Sequence, residues 1–250
     1  MLIDTHAHLN QSDYDNDLET VILRAFNNDV KKIIVVGMDE KSNQKSIKIA
    51  EKFDNVKATI GIHPCYYQNE DPNKLEKYLK HPQVIAIGET GLDLHYRRDN
   101  LLEQQNIFKI HIELALKYKL PLVLHARDAF LEVYEMLLPY KEKITGVFHC
   151  LVSNLKETKK ALELGFYIGI GGVVTYKQSK IAHEIAKSIP LEKIILETDC
   201  PYLTPSPLNQ QRNEPANIKI IAEEIAKLRN ISLQEVSKQT TQNVQKLFNF

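Results

Sequence analysis

The chain has 250 residues, 43% hydrophobic and 26% charged, a composition that supports one large buried core and argues against disorder. Lys and Arg total 32 and Asp and Glu total 32, so the formal net charge is zero and no global field attracts nucleic acid or anionic membrane. The three cysteines, Cys65, Cys150 and Cys200, are odd in number and far apart, which argues against a disulfide framework and a CxxC motif.

The opening MLIDTHAHL lacks the basic and apolar regions of a secretory signal, and no run of about 18 apolar residues follows. A cytoplasmic protein without membrane contact is expected, with residues 1–250 forming one domain. Short apolar, β-branched runs recur at 2–3, 33–36, 58–62, 84–87, 122–124, 146–148, 166–170 and 194–196. They are continuous rather than alternating, as in strands buried on both faces of a parallel sheet. Helical periodicity fills the intervals 17–27, 43–53, 101–118, 129–138, 155–164 and 179–188. Eight strands alternating with helices over this length predict an α/β fold of the (β/α)8 TIM-barrel type. The Pro-containing segment 201–215 reads as an active-site loop, and the helical tail 216–250 as part of the outer ring.

Such barrels build their active sites at the C-terminal ends of the strands. The residues following the apolar runs are unusually uniform: Asp4, His6 and His8, then His63, Glu89, His125, His149 and Asp199. Alternate residues of an extended segment project to one side, so His6 and His8 can face one ion, with Asp199 completing its shell. His125 and His149, from adjacent strands, suit a second ion, and Glu89 is placed to bridge the two. The set fits a pair of divalent cations, the arrangement that clamps the attacking and leaving oxygens in hydrolysis. Arg127 is placed to meet an anion at the mouth. His81, His111 and His183 read as solvated or packing residues, His95 is ambiguous, and the pair Arg97-Arg98 reads as a solvated face.

The segments IDTHAHL (3–9), GIHP (61–64), IGETGLD (87–93), LHARDA (124–129), VFHC (147–150), LETDCPYL (196–203) and RNEP (212–215) together resemble the TatD family, within the amidohydrolase-like barrels. The resemblance implies metal ligands at His6, His8, Glu89, His125, His149 and Asp199, with Glu89 bridging. It places His63, Arg127 and Arg212 near bound phosphate or substrate, and it leaves Glu197 and Tyr202 in the motif without a defined role. It further implies DNA as partner, single-stranded or 3′-ended; two divalent ions per subunit, drawn from Mg, Mn and Zn, and a monomer are expected. Two departures stand out. Leu151, Val152 and Ser153 follow VFHC where the family has an aromatic, a Ser and a Gly, and 208–211 lack the Arg-Gly pair that commonly precedes RNEP.

The chemistry this suggests is 3′-end phosphodiester hydrolysis, a 3′-5′ exonuclease with abasic-site cleavage as a related activity. Asp199 serves as general base and Glu89 shares the catalytic centre. Two other readings stay open: an amidohydrolase-like enzyme acting on a small amide, ester or phosphate compound, and a non-catalytic, metal-stabilised nucleic-acid-binding module.

Overall fold

Every predicted apolar run lies in or overlaps a strand in the computed structural model of the chain, which describes all residues except Asn69, Arg97, Leu151, Val152, Asn209 and Gln210. Arg97 of the basic pair, Leu151 and Val152 of the first family departure, and 209–210 of the second therefore lie outside the described residues. The strands are β1 (Leu2–Ala7), β2 (Val30–Val36), β3 (Val56–Ile60), β4 (Val84–Asp93), β5 (Leu122–Arg127), β6 (Gly146–Phe148), β7 (Tyr167–Ile170) and β8 (Ile194–Leu196). They pair in parallel in sequence order, as the alternation predicted for a (β/α)8 barrel. The helices are α1 (Leu18–Asn27), α2 (Glu40–Lys52), α3 (Leu101–Tyr118), α4 (Phe130–Leu137), α5 (Leu155–Glu163), α6 (Lys180–Ser188), α7 (Ile218–Arg229) and α8 (Leu233–Phe248). Between β3 and β4 the connection is a 3-10 segment, Pro72–Lys77, opened by the Asp71 side chain accepting from Asn73 N–H.

Successive strand residues face opposite sides, so every strand except β3 feeds two apolar layers. Ile33, Val35, Ile87, Leu122, Leu124, Phe148 and Ile168 join the layer between sheet and helices. Ile3, Ile34, Ala86, Val123, Val147, Tyr167 and Ile195 form a separate cluster inside the barrel, and Val244, Leu247 and Phe248 of α8 complete it. The C-terminal helix therefore packs on the barrel floor, which corrects its expected place in the outer ring. The tail bends into that position at Asn230, whose left-handed backbone (φ 54°) ends α7 before Ser232 caps α8.

Closure between β8 and β1 relies on side chains as much as on backbone. Asp199 N–H donates to His6 C=O (2.8 Å) and His8 N–H to Cys200 C=O (2.8 Å). The buried Asp4 carboxylate accepts from Thr198 N–H (2.9 Å) and Thr198 Oγ1 (2.6 Å). Burial raises the Asp4 carboxyl to about 7 even though Thr198 works in the other direction.

Candidate metal centre

The floor residues set the direction of the site. Val123, Val147 and Ile195 point into the barrel, and the strand period of two carries that direction to His125, His149 and Glu197. Asp199 lies a further two residues on, with its backbone in the left-handed region (φ 57°) and its N–H tied to β1. Glu89 lies within β4 rather than at its end, because that strand runs on to Asp93.

These side chains meet in three overlapping clusters: His6, His8 and Glu89; His6, His149 and Asp199; and His63, Glu89 and His125. The Glu89 carboxylate is divided between two of them. Its Oε2 faces His6 Nε2 (3.3 Å) and His8 Nε2 (3.6 Å). Its Oε1 faces His125 Nδ1 (3.0 Å) and His63 Nε2 (3.5 Å). Asp199 Oδ1 lies 3.3 Å from His8 Nε2, 3.6 Å from His149 Nε2 and 3.8 Å from His6 Nε2. None of the three clusters contains both His125 and His149, the pair expected to share an ion. His149 stacks on His6 instead, with ring centroids 3.6 Å apart.

Outer partners decide which nitrogen each imidazole presents. His8 Nδ1 meets Val36 C=O (3.2 Å), which can only accept, so the proton sits there and the Nε2 lone pair faces inward. Asp93 Oδ2 accepts from His125 Nε2–H (2.8 Å), leaving Nδ1 toward Glu89. Glu197 Oε1 accepts from Cys150 N–H (2.6 Å) and lies 3.0 Å from His149 Nδ1, an ion-pair contact without hydrogen-bond geometry. His63 is arranged the other way: Cys65 N–H donates to its Nδ1 (3.1 Å), so a neutral ring carries its proton on Nε2, inside the site. Sequence reasoning missed Asp93 and left Glu197 without a role. The available signal was their spacing, four residues after Glu89 and two before Asp199.

The electrostatics fit a cation. His6 Nε2 and His8 Nε2 lie 3.2 Å apart beside the buried Glu89 and the partly buried Asp199, and among the described residues His6 Nδ1 has no hydrogen-bond partner. Burial opposes charge on Glu89, yet His63 and His6 hold its carboxyl well below the usual range. Burial likewise opposes charge on His149, but Glu197 and Asp199 drive it up to about 10. Converging lone pairs and carboxylates of this kind suit divalent ions bound by nitrogen and oxygen. The candidate donor atoms brought together by the three clusters belong to His6, His8, His63, Glu89, His125, His149 and Asp199.

The family described as TatD related DNase matches residues 3–249. The chain belongs to that family. It is 38% identical over 252 residues to YabD of Bacillus subtilis, named an uncharacterized metal-dependent hydrolase, with 99% of each chain covered. It is 30% identical over 256 residues to the protein of Citrobacter koseri named 3′-5′ ssDNA/RNA exonuclease TatD, covering 99% of this chain and 98% of that one. Among solved structures, the TatD homolog YJJV of Escherichia coli K12 superposes with a TM-score of 0.94 at 27% identity, covering 100% of this chain and 98% of that one.

In this TatD-family chain the metal centre opens into a cavity of about 1170 Å³ lined by His8, His63, Glu89, His125, His149 and Asp199. Arg127 lies on its rim, its guanidinium over the Tyr96 ring at 5.1 Å and Nη1 3.2 Å from Tyr96 Oη. Arg212 lies elsewhere. It makes a bidentate pair with Asp17 (3.0 and 2.7 Å), bonds Glu214 (3.0 Å) and covers the Tyr14 ring, so its donors hold the 201–214 segment to the start of α1. His95, also on the rim, pairs with Asp128 (2.8 Å). His111 is buried, His81 pairs with Glu51 (3.1 Å), and His183 meets Val174 C=O (2.9 Å), all three away from the centre.

Proposed function

We propose that this metal-dependent hydrolase of the TatD family is a deoxyribonuclease that cleaves phosphodiester bonds at DNA 3′ ends. The observation that carries the reading is the division of Glu89 between two imidazole clusters at the base of an open cavity, with Arg127 on the rim and the His63 Nε2 proton directed inward. The name of the Citrobacter relative, an exonuclease on single-stranded DNA and RNA, supports the same substrate class. Divalent ions held by His6, His8, Glu89, His125, His149 and Asp199 would lower the pKa of a water and offset charge on phosphoryl oxygens.

The chain's own groups divide the remaining work. Asp199 is the more accessible of the two central carboxylates, its side chain 13% exposed against 3% for Glu89, and it accepts the proton of the attacking water. The His63 Nε2–H donates to a phosphoryl oxygen, and Arg127 meets the non-bridging oxygens from the rim. Asp93 and Glu197 hold the His125 and His149 rings in place and touch no substrate.

Chelator-stripped protein should be inactive on single-stranded DNA with a free 3′ end and should regain activity with Mg²⁺, Mn²⁺ or Zn²⁺. Asp199→Asn should keep the fold by circular dichroism and lose about a hundredfold or more in kcat. Cleavage that survives both treatments would falsify the reading. A panel that adds small amides, esters and phosphate compounds separates it from an amidohydrolase-like activity.

A further inference from the structure

The mouth carries an aromatic surface that the chemistry just described does not use. Of the eleven tyrosines, three are exposed among the described residues: Tyr66 at 49%, Tyr96 at 70% and Tyr202 at 49%. All three line the cavity above the metal centre, although they come from distant parts of the chain, after β3, β4 and β8. Three exposed rings gathered at one opening differ from the scattered single apolar residues of an ordinary surface.

Their neighbours tie them to the site. The Tyr66 ring lies 5.6 Å from that of His63, and the Tyr202 ring 6.0 Å from that of His8. The Arg127 guanidinium covers one face of Tyr96. The cavity lining carries both signs of charge: Arg98 and Arg127 share it with Asp93, Asp128, Glu132 and Glu157, and only Arg127 packs on a tyrosine ring.

We propose that Tyr66, Tyr96 and Tyr202 form a stacking surface for the bases of a single strand whose 3′ end enters the metal centre. The proposal rests on the phosphodiester reading above and adds the substrate determinant: unpaired bases, recognised by their faces. Every base has such a face, so stacking tolerates any sequence, whereas a duplex keeps its base faces stacked on one another. A neutral chain without a long basic track needs an attraction of this kind to hold a strand beyond the phosphates at the centre.

The test is binding of the metal-loaded protein, followed by fluorescence anisotropy, to a short thymidine strand with an uncleavable 3′-terminal linkage. The comparison is the same strand carrying abasic tetrahydrofuran residues at its 3′ end. Wild-type protein should bind the base-bearing strand about tenfold more tightly. Tyr66→Ala, Tyr96→Ala and Tyr202→Ala should each narrow that ratio, and the corresponding Phe variants should keep it. Equal affinity of the wild type for the two strands, or Ala variants that retain the full ratio, overturns the proposal. The two readings fail separately. A strand that binds with a tyrosine-dependent ratio but is never cut in its natural form removes the nuclease and leaves the stacking surface. Cleavage without the ratio does the reverse.

Discussion

His8 and His63 each follow a strand and both reach Glu89 through Nε2, yet that nitrogen carries a lone pair in one ring and a proton in the other. The difference comes from one hydrogen bond each: Val36 C=O accepts from His8 Nδ1–H, while Cys65 N–H donates to the His63 Nδ1 lone pair. The first ring can thereby offer a lone pair to a cation and the second a proton to an anion. Neither partner is recognisable from the motif, because a carbonyl is present at every residue and only the fold selects which one is near. His111 shows a similar effect outside the centre. It accepts from Ile62 N–H (3.0 Å) and its Nδ1 meets Ile107 C=O (2.8 Å), so α3 supports the turn that carries His63. Burial lowers its pKa from 6.5 to about 4. Between those values the unfolded chain binds a proton that the folded chain excludes, so stability should fall as pH drops through that window and be unaffected above it. The full loss is about 3 kcal/mol. Urea midpoints of wild type and His111→Phe between pH 4 and 7 check this: the variant should start lower, with Ile62 N–H left unpaired, and decline less. Parallel curves would remove His111 as the cause.

At the scale of elements, β7 supplies no ligand, but it supplies the space that one ligand's partner needs. A Cβ on Gly169 would sit 2.3 Å from Glu197 Oε2, inside the barrel where nothing can move away easily. Gly169→Ala should therefore displace the carboxylate that orients His149. Metal affinity, measured by calorimetric titration, should drop about 10- to 100-fold, with a similar loss in Glu197→Gln. A Gly169→Ala protein that binds metal like wild type would show that Glu197 does not need this gap. Strand β4 illustrates the limits of pattern reading. The apolar run ends at Ile87, but the strand continues to Asp93, because parallel pairing with β5 extends as far as Asp93 and Arg127. Polar residues inside a barrel mouth satisfy the sheet as well as apolar ones do, so hydropathy marks the buried length of a strand and not its full length.

For the whole molecule, zero net charge and a charged centre are compatible. Ions bound among His6, His8, Glu89, His125, His149 and Asp199 would be the largest local charges, and Glu89 and Asp199 offset only part of them. A neutral chain then presents a small positive focus at one end of the barrel. DNA binding should accordingly show a shallow salt dependence, with a slope in log K against log[salt] that corresponds to a few phosphate contacts. A slope implying about six or more contacts would point to a basic track elsewhere on the surface. No helix among the described residues is long and apolar enough to cross a membrane.

The eight-fold alternation, the residues that follow each apolar run and the order of the family motifs were all legible in the chain, because strand period and connection length are local properties. The sequence by itself therefore determined the barrel and the identity of the residues at its rim. Tertiary structure alone decided how those residues group: His149 against His6 and Asp199, and His125 beside His63. It also turned Arg212 toward Asp17, and it sent α8 to the barrel floor. Each of these depends on contacts between residues far apart in the chain. No local period encodes them, and only closing the sheet through Asp4 and Thr198 brings them into range.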